Sequence, residues 1–225
     1  MSEPLQRTSD WHALRCGRVT GSRVADVIGT TKAGKWGAAR AKYMEQLVAE
    51  RLTGKPQDMR RIKSLDDRAD MEPEAIACYE FYTGNKVAPV GFVPHPTIEM
   101  AGASPDGLVN DDGVIEVKNL DPATHAKLLR GDTSVMADYM PQMQFEIACT
   151  ERKFCEFVAY CPTMPEELKM YHRRVERDRE GIEGLETIIL VFLGEVDAMV
   201  KEILFGLGAR AGDRAAPSSK NAASA

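Results

Sequence analysis

Asp106, Glu116 and Lys118 fall in one stretch, SPDGLVNDDGVIEVKN, which reads as a turn followed by a short hairpin. Side chains two apart in a strand point the same way, so Glu116 and Lys118 share a face and Ile115 and Val117 take the other. Asp106 sits across the hairpin in a Ser-Pro-Asp-Gly turn, whose residue types allow a tight approach. Two carboxylates brought together repel unless a cation lies between them. Oxygen donors suit Mg2+ or Mn2+. A lysine beside such an ion can orient or help deprotonate a water and neutralise charge at a phosphoryl centre. The set matches metal-assisted phosphodiester hydrolysis. On its own it also matches a solvated hairpin with ordinary salt bridges, so the choice rests on what the rest of the chain supplies.

Glu72, at the start of a helix ahead of the sheet, can reach the same ion as a third carboxylate. Gln142 and Gln144, in YMPQMQFEI, begin a helix after the sheet. An amide pair there either binds a metal-held water or a phosphate, or is a polar pair on the helix surface. The order Glu, Asp, Glu-x-Lys, Gln is that of the restriction-endonuclease-like nuclease core, which favours the hydrolytic reading.

The elements that must position these groups follow from periodicity. Ser9 or Asp10 caps a short helix over 11–15, and Thr20 caps a second with Val24, Val27 and Ile28 in its stripe. A longer helix carries Tyr43, Leu47, Val48 and Leu52 on one face and stops at Gly54. Pro73 and Gly84 bracket another. Then Val, Gly and Pro dominate, giving strands near 87–93, 98–103, 107–109 and 114–118, with 110–113 as the hairpin turn. Helices return near 122–130 and 137–149, and KFCEFVAYCP and LKMYHRRVER add two strands. Residues 183–204 form an amphipathic helix with Leu185, Ile188, Ile189, Phe192, Val196, Met199 and Ile203 inward. The pattern predicts helices flanking one central mixed sheet, an α/β or α+β domain over residues 1–205, and a disordered tail over 206–225.

Composition agrees with a single core: of 225 residues, 44% are hydrophobic and 28% charged. A net charge of -5 and a pI near 5.5 do not advertise a nucleic-acid binder, yet leave room for a locally basic groove and a carboxylate-rich metal site. The first residues lack an apolar signal core and no apolar run reaches spanning length, so a cytoplasmic protein with no membrane partner is expected. Cys149, Cys155 and Cys161 are spaced too widely for a zinc knuckle and read as buried reduced thiols. His12, His95, His125 and His172 do not pair at ligand spacing, and without a Gly-rich phosphate loop no ATP requirement is expected.

The chain resembles the phage lambda exonuclease family, the YqaJ-type viral recombinases. The resemblance runs from about residue 11 to 203 and rests on WHALRCGRVTGSRV, MEPEAIACYEFYTG, SPDGLV, IEVKN and YMPQMQFEI in the family order. It implies that Asp106, Glu116, Glu72 and the Val117 carbonyl hold the metal and that Lys118 activates the water. Gln144, with Gln142 beside it, would support the metal and phosphate shell. Arg15, Ser22 and Ser104 would line a pocket for the 5′-phosphate of a DNA end. An early helical turn at Ser22 and a bidentate guanidinium at Arg15 suit an anion, while a carboxylate partner and a helix cap are the alternative roles. Lys32 would contact DNA. Leu65 would wedge between the strands, although Asp66 and Asp67 follow it. Arg60, Arg61 and Lys63 would touch the DNA backbone or form a solvated face. The implied protein is a homotrimeric ring that threads double-stranded DNA. It degrades one strand 5′→3′ to mononucleotides and leaves a 3′ single strand for an annealing protein. An endonuclease on the same core and a non-catalytic DNA-end-binding protein are the alternatives.

Overall fold

The chain enters through α1 (Ser9–Arg15), which is capped by Thr8 accepting from the Trp11 N–H rather than by Ser9 or Asp10. In the computed structural model, residues 6–57 and 71–214 are described, with side chains up to residue 206. β1 (Val19–Thr20) leads through a 3-10 turn (Gly21–Arg23) into α2 (Val24–Ile28), and Thr20 makes no side-chain cap there. α3 (Ala38–Thr53) ends on left-handed Gly54, and α4 (Glu72–Thr83) carries Pro73 in its first turn and ends on left-handed Gly84. Short strands follow: β2 (Val87–Ala88), β3 (Val93–Pro94), β4 (Ala101–Ala103) and β5 (Gly107–Val109), then the longer β6 (Gly113–Asn119). Next come α5 (Pro122–Leu129), α6 (Ser134–Ala137), α7 (Met140–Thr150), β7 (Phe154–Tyr160), β8 (Met170–Glu176) and α8 (Arg179–Arg214).

The last helix runs well past residue 204, into the stretch read from composition as a tail. Ala, Leu and Arg there are strong helix formers, and Gly206, Gly208 and Gly212 each weaken the helix by about 1 kcal/mol without ending it. Residues 58–70, which hold Arg60, Arg61, Lys63 and Leu65, and residues 215–225 lie outside the described residues.

The described strands form two sheets where one was expected. The smaller has the order β1-β4-β3, with β1 parallel to β4; the larger has the order β2-β5-β6-β7-β8, with β6 and β7 as its parallel pair. The break comes between β4 and β5, at Ser104, Pro105 and Asp106. Pro105 has no N–H for a ladder and a fixed φ, so the chain turns a corner there from one sheet into the other. The hairpin closes through Asn110 at φ 45. Gly113 is required: a Cβ there would stand 2.2 Å from the Phe154 ring.

α7 is wedged between the sheets. Phe145 and Cys149 pack with Val19, Val24, Tyr43, Leu47 and Phe192 on the small-sheet side. Met143, Ile147 and Ala148 pack with Val114, Cys155 and Phe157 on the other. A helix apolar on two sides is a core element, and residues 143–149 are all buried, Gln144 and Glu146 included. α4 covers the opposite face of the large sheet, with Ala75 and Tyr79 against Ile115, Val117 and Val158. Leu52 and Ile203, expected inward, are exposed because they lie in turns beyond the packed parts of their helices.

Candidate active site

β6 is the strand that carries Glu116 and Lys118, and α7 is what faces them. Ile115 and Val117 pack toward α4, while Glu116 and Lys118 meet Gln142 of α7, as strand alternation requires. Asp106 is clamped to the same strand. Its N–H donates to the Ile115 carbonyl at 3.1 Å, and its Oδ2 accepts the Val117 N–H at 2.7 Å. Burial, then the neighbouring Glu116 and Glu72 charges, push the Asp106 carboxyl well above the ordinary range; the Val117 N–H and Lys118 only partly oppose them.

Lys118 Nζ touches Glu116 Oε1, donates to Gln142 Oε1 at 3.3 Å and lies 4.8 Å from the Tyr139 ring centre. Burial alone would lower its pKa, but Glu116 first, with Asp106 and Glu146, raises it above the ordinary lysine value. Beside carboxylates that no cation covers, Lys118 is thus a held cation that can donate to a water or a phosphoryl oxygen.

The two glutamines part company. Gln142 Nε2 donates to Glu116 Oε1 at 2.7 Å and to Glu146 Oε1 at 2.8 Å. Gln144 turns the other way. Its amide donates to the Glu176 carbonyl at 2.8 Å, and its oxygen accepts the Asp178 N–H at 2.9 Å, tying β8 to α8. Residues two apart on a helix do not face the same side. Gln142, and not Gln144, is thus the amide at the carboxylates. Glu146, four residues on from Gln142, shares its face and was missed in the sequence. Its carboxyl is pushed well above the ordinary range by burial, then by Glu116 and Asp106. The i, i+4 spacing was the available signal.

Glu72, at the first turn of α4, bonds to Arg7 Nη2 at 2.6 Å. Its pKa is raised by burial, with Glu116 adding and Arg7 opposing, so it belongs to the same electrostatic cluster. Two residues before Asp106, Ser104 gathers a cationic group. Arg15 Nη1 and the Trp11 indole N–H both donate to Ser104 Oγ, at 3.1 and 3.0 Å, and the guanidinium stacks 4.2 Å over the Trp11 ring. Burial pulls Arg15 down to about 10, with Tyr43 and Glu50 acting in the other direction, and it stays charged at neutral pH. Trp11 is a second residue that sequence reading left out of the site. Ser22 is exposed on the 3-10 turn, whose Gly21 packs against Ala103 and Glu146. Lys32 is exposed on a turn over 31–35, and among the described residues no hydrogen bond or ion pair joins it to the site.

Among the described residues, no three acidic, histidine or cysteine side chains form a closed metal shell. Lys118 and Arg7 draw Glu116 and Glu72 toward themselves. The donor set nevertheless suits a hard cation. Glu116 Oε2 and Glu146 Oε2 are buried without a hydrogen-bond partner, and every candidate ligand is an oxygen.

The model of the YqaJ-like viral recombinase domain matches residues 10–153. The chain belongs to this family. The matched span takes in Arg15, Glu72, Asp106, Glu116, Lys118 and all of α7. Among solved structures, an alkaline exonuclease from Laribacter hongkongensis, LHK-Exo, is 39% identical, with a TM-score of 0.79 over 89% of this chain and 98% of that one. The complex of LHK-Exo with dAMP matches over the same shares with a TM-score of 0.80. A phage-related exonuclease from Haemophilus somnus 129PT shares the fold of this YqaJ-like chain at 14% identity, with a TM-score of 0.65 over 83% of this chain and 96% of that one. No curated protein matches.

Proposed function

We propose that the protein is a Mg2+-dependent exonuclease that degrades one strand of linear double-stranded DNA 5′→3′ from 5′-phosphorylated ends. The observation that carries this reading is the meeting of Asp106, Glu116, Lys118 and Gln142 on one face of β6, one sheet corner away from the Arg15–Trp11–Ser104 pocket. Asp106, Glu116, Glu72 and the Val117 carbonyl would hold the cation, with Mn2+ as a substitute of the same oxygen preference. When bound, the cation polarises a phosphoryl oxygen and lowers the pKa of a bound water. Lys118 would orient the attacking water and help deprotonate it, and would neutralise charge at the phosphoryl group. Gln142 fixes Lys118 and Glu116 relative to each other. Arg15 and the Ser104 hydroxyl grip the terminal phosphate, with the Trp11 ring backing the guanidinium. The similarity to an alkaline exonuclease, one structure of which holds a mononucleotide, supports the same reading. The 3′ single strand left behind is a substrate for an annealing protein.

The test is digestion, with Mg2+, of one linear duplex carrying 5′-phosphate or 5′-hydroxyl ends, beside a closed circle. Loss of one strand from phosphorylated ends with the circle intact is the expected result. Cutting of the circle would make the protein an endonuclease, and no cutting with any divalent ion would make it an end-binding protein.

A further inference from the structure

We propose that Arg7 is a substrate-contacting residue that exchanges partners. It neutralises Glu72 in the cation-free site and turns to a backbone phosphate of the DNA strand once a divalent cation takes Glu72. The inference rests on the nuclease reading above and adds a residue which that reading leaves unused.

Gln6 ties the chain ahead of α1 to the sheet corner. Its amide donates to the Pro105 carbonyl at 2.7 Å and to the Val90 carbonyl at 3.2 Å. Arg7 follows at φ 70, a left-handed backbone that a non-glycine residue adopts only when its surroundings impose it. Thr8 then caps α1, which brings Trp11 and Arg15 to Ser104. The short segment from Gln6 to Arg15 therefore joins the loop of Asp106 to the phosphate pocket, with Arg7 between them. A strand whose terminal phosphate sat on Arg15 and whose next phosphate faced Asp106 would run close to this segment, because Gln6 is bonded to Pro105, between Ser104 and Asp106.

Arg7 is built for such a contact. Its side chain is 48% exposed where its partner Glu72 is 23% exposed, so the guanidinium lies at the mouth of the cluster and the carboxylate inside it. Asp106, Glu116, Glu72 and Glu146 together repel phosphate, and a planar guanidinium is the side chain that offsets this while gripping phosphate with two N–H groups. A divalent cation bound to Glu72 weakens the attraction that holds Arg7 and frees it to turn.

The experiment compares wild type with Arg7→Gln and Arg7→Lys in two measurements. Mg2+ alone is titrated calorimetrically into the protein without DNA. Binding of a 5′-phosphorylated duplex is then followed in Ca2+ across a salt series. Without its competitor, Arg7→Gln should bind Mg2+ more tightly, by up to about fivefold for a half-exposed pair. It should bind the duplex more weakly, with the slope of log K against log salt shallower by about 0.9, the value of one phosphate contact. Arg7→Lys keeps the charge and should keep the wild-type slope. Unchanged or weaker Mg2+ binding by Arg7→Gln, or an unchanged slope, overturns the role. Wild type that binds neither Mg2+ nor the duplex would sink the nuclease reading and this inference with it. Binding by wild type that Arg7→Gln reproduces would sink only the role of Arg7. The exposure of Arg7 keeps the variant folded, which its thermal midpoint verifies.

Discussion

Replacing Gln142 and Gln144 one at a time by alanine should separate activity from stability. Gln144→Ala removes two neutral hydrogen bonds at the β8–α8 junction, at 2.8 and 2.9 Å. At about 1 kcal/mol net each, the loss is about 2 kcal/mol, which in a protein of this size lowers Tm by about 4–8 °C. None of its partners belongs to the carboxylate cluster, so turnover per folded molecule at 25 °C should be unchanged. Gln142→Ala removes bonds to Glu116, Glu146 and Lys118, leaving Lys118 held by Glu116 and the Tyr139 ring and Glu116 without its amide partner. Loss of a partner that orients catalytic groups typically costs about 10–100-fold in activity. Duplex ends should still bind, because Arg15, Trp11 and Ser104 are untouched. The assays are thermal unfolding without metal and single-turnover digestion of a 5′-phosphorylated duplex with Mg2+. The reasoning fails if folded Gln144→Ala loses tenfold or more in rate while Gln142→Ala keeps the wild-type rate.

Lys118→Ala should lose at least about 100-fold in cleavage while still retaining duplex ends in a gel-shift assay, since it contributes a positioned donor to the reaction; normal turnover would remove its assigned role. Arg15→Lys gives up the planar fork and Ser104→Ala the hydroxyl to which Trp11 and Arg15 both donate, so each should lower the ratio of rates on 5′-phosphate and 5′-hydroxyl ends. A wild-type ratio in both variants would refute the pocket. Asp106 and Glu146 have raised carboxyl pKa values, so the folded, cation-free protein binds more protons than the unfolded chain at intermediate pH. Their stabilising contribution is present at low pH and is lost as pH climbs from the ordinary carboxylate range toward the raised values. A divalent cation must displace those protons, so the rise in Tm caused by Mg2+ should grow across the same window; a rise independent of pH would refute the linkage.

Much of this was legible in the sequence, for identifiable reasons. Strand alternation put Glu116 and Lys118 on one face and Ile115 and Val117 on the other, and the side chains lie that way. Gly54, Pro73 and Gly84 marked helix ends correctly because their backbone constraints are local. The choice between Gln142 and Gln144 followed motif order, when helical geometry would have grouped Gln142 with Glu146. Glu146 itself, an isolated glutamate in a helix, carries no local mark of a site. Only the burial of α7 from both sides makes it part of the site, and that burial depends on where two sheets lie. The second sheet itself was hidden: β1, β3 and β4 are two or three residues long, too short for a period to show. The contacts of Trp11 and Arg7 are tertiary and left no local trace.

The corner at Pro105 has a metrical consequence. Ser104 and Asp106 are two residue steps apart, so their backbones can be separated by at most about 7 Å, and the fixed φ of Pro105 leaves little play in that span. If Ser104 marks where the free end of a strand stops and Asp106 marks where it is cut, the distance between stop and blade is a covalent gauge built into the main chain, on the scale of one nucleotide step. Fragment length would then be independent of base sequence, because the gauge is set between two points of the main chain. Inserting one residue at this corner would lengthen the gauge and should change the size of the released product before it changes the affinity for DNA.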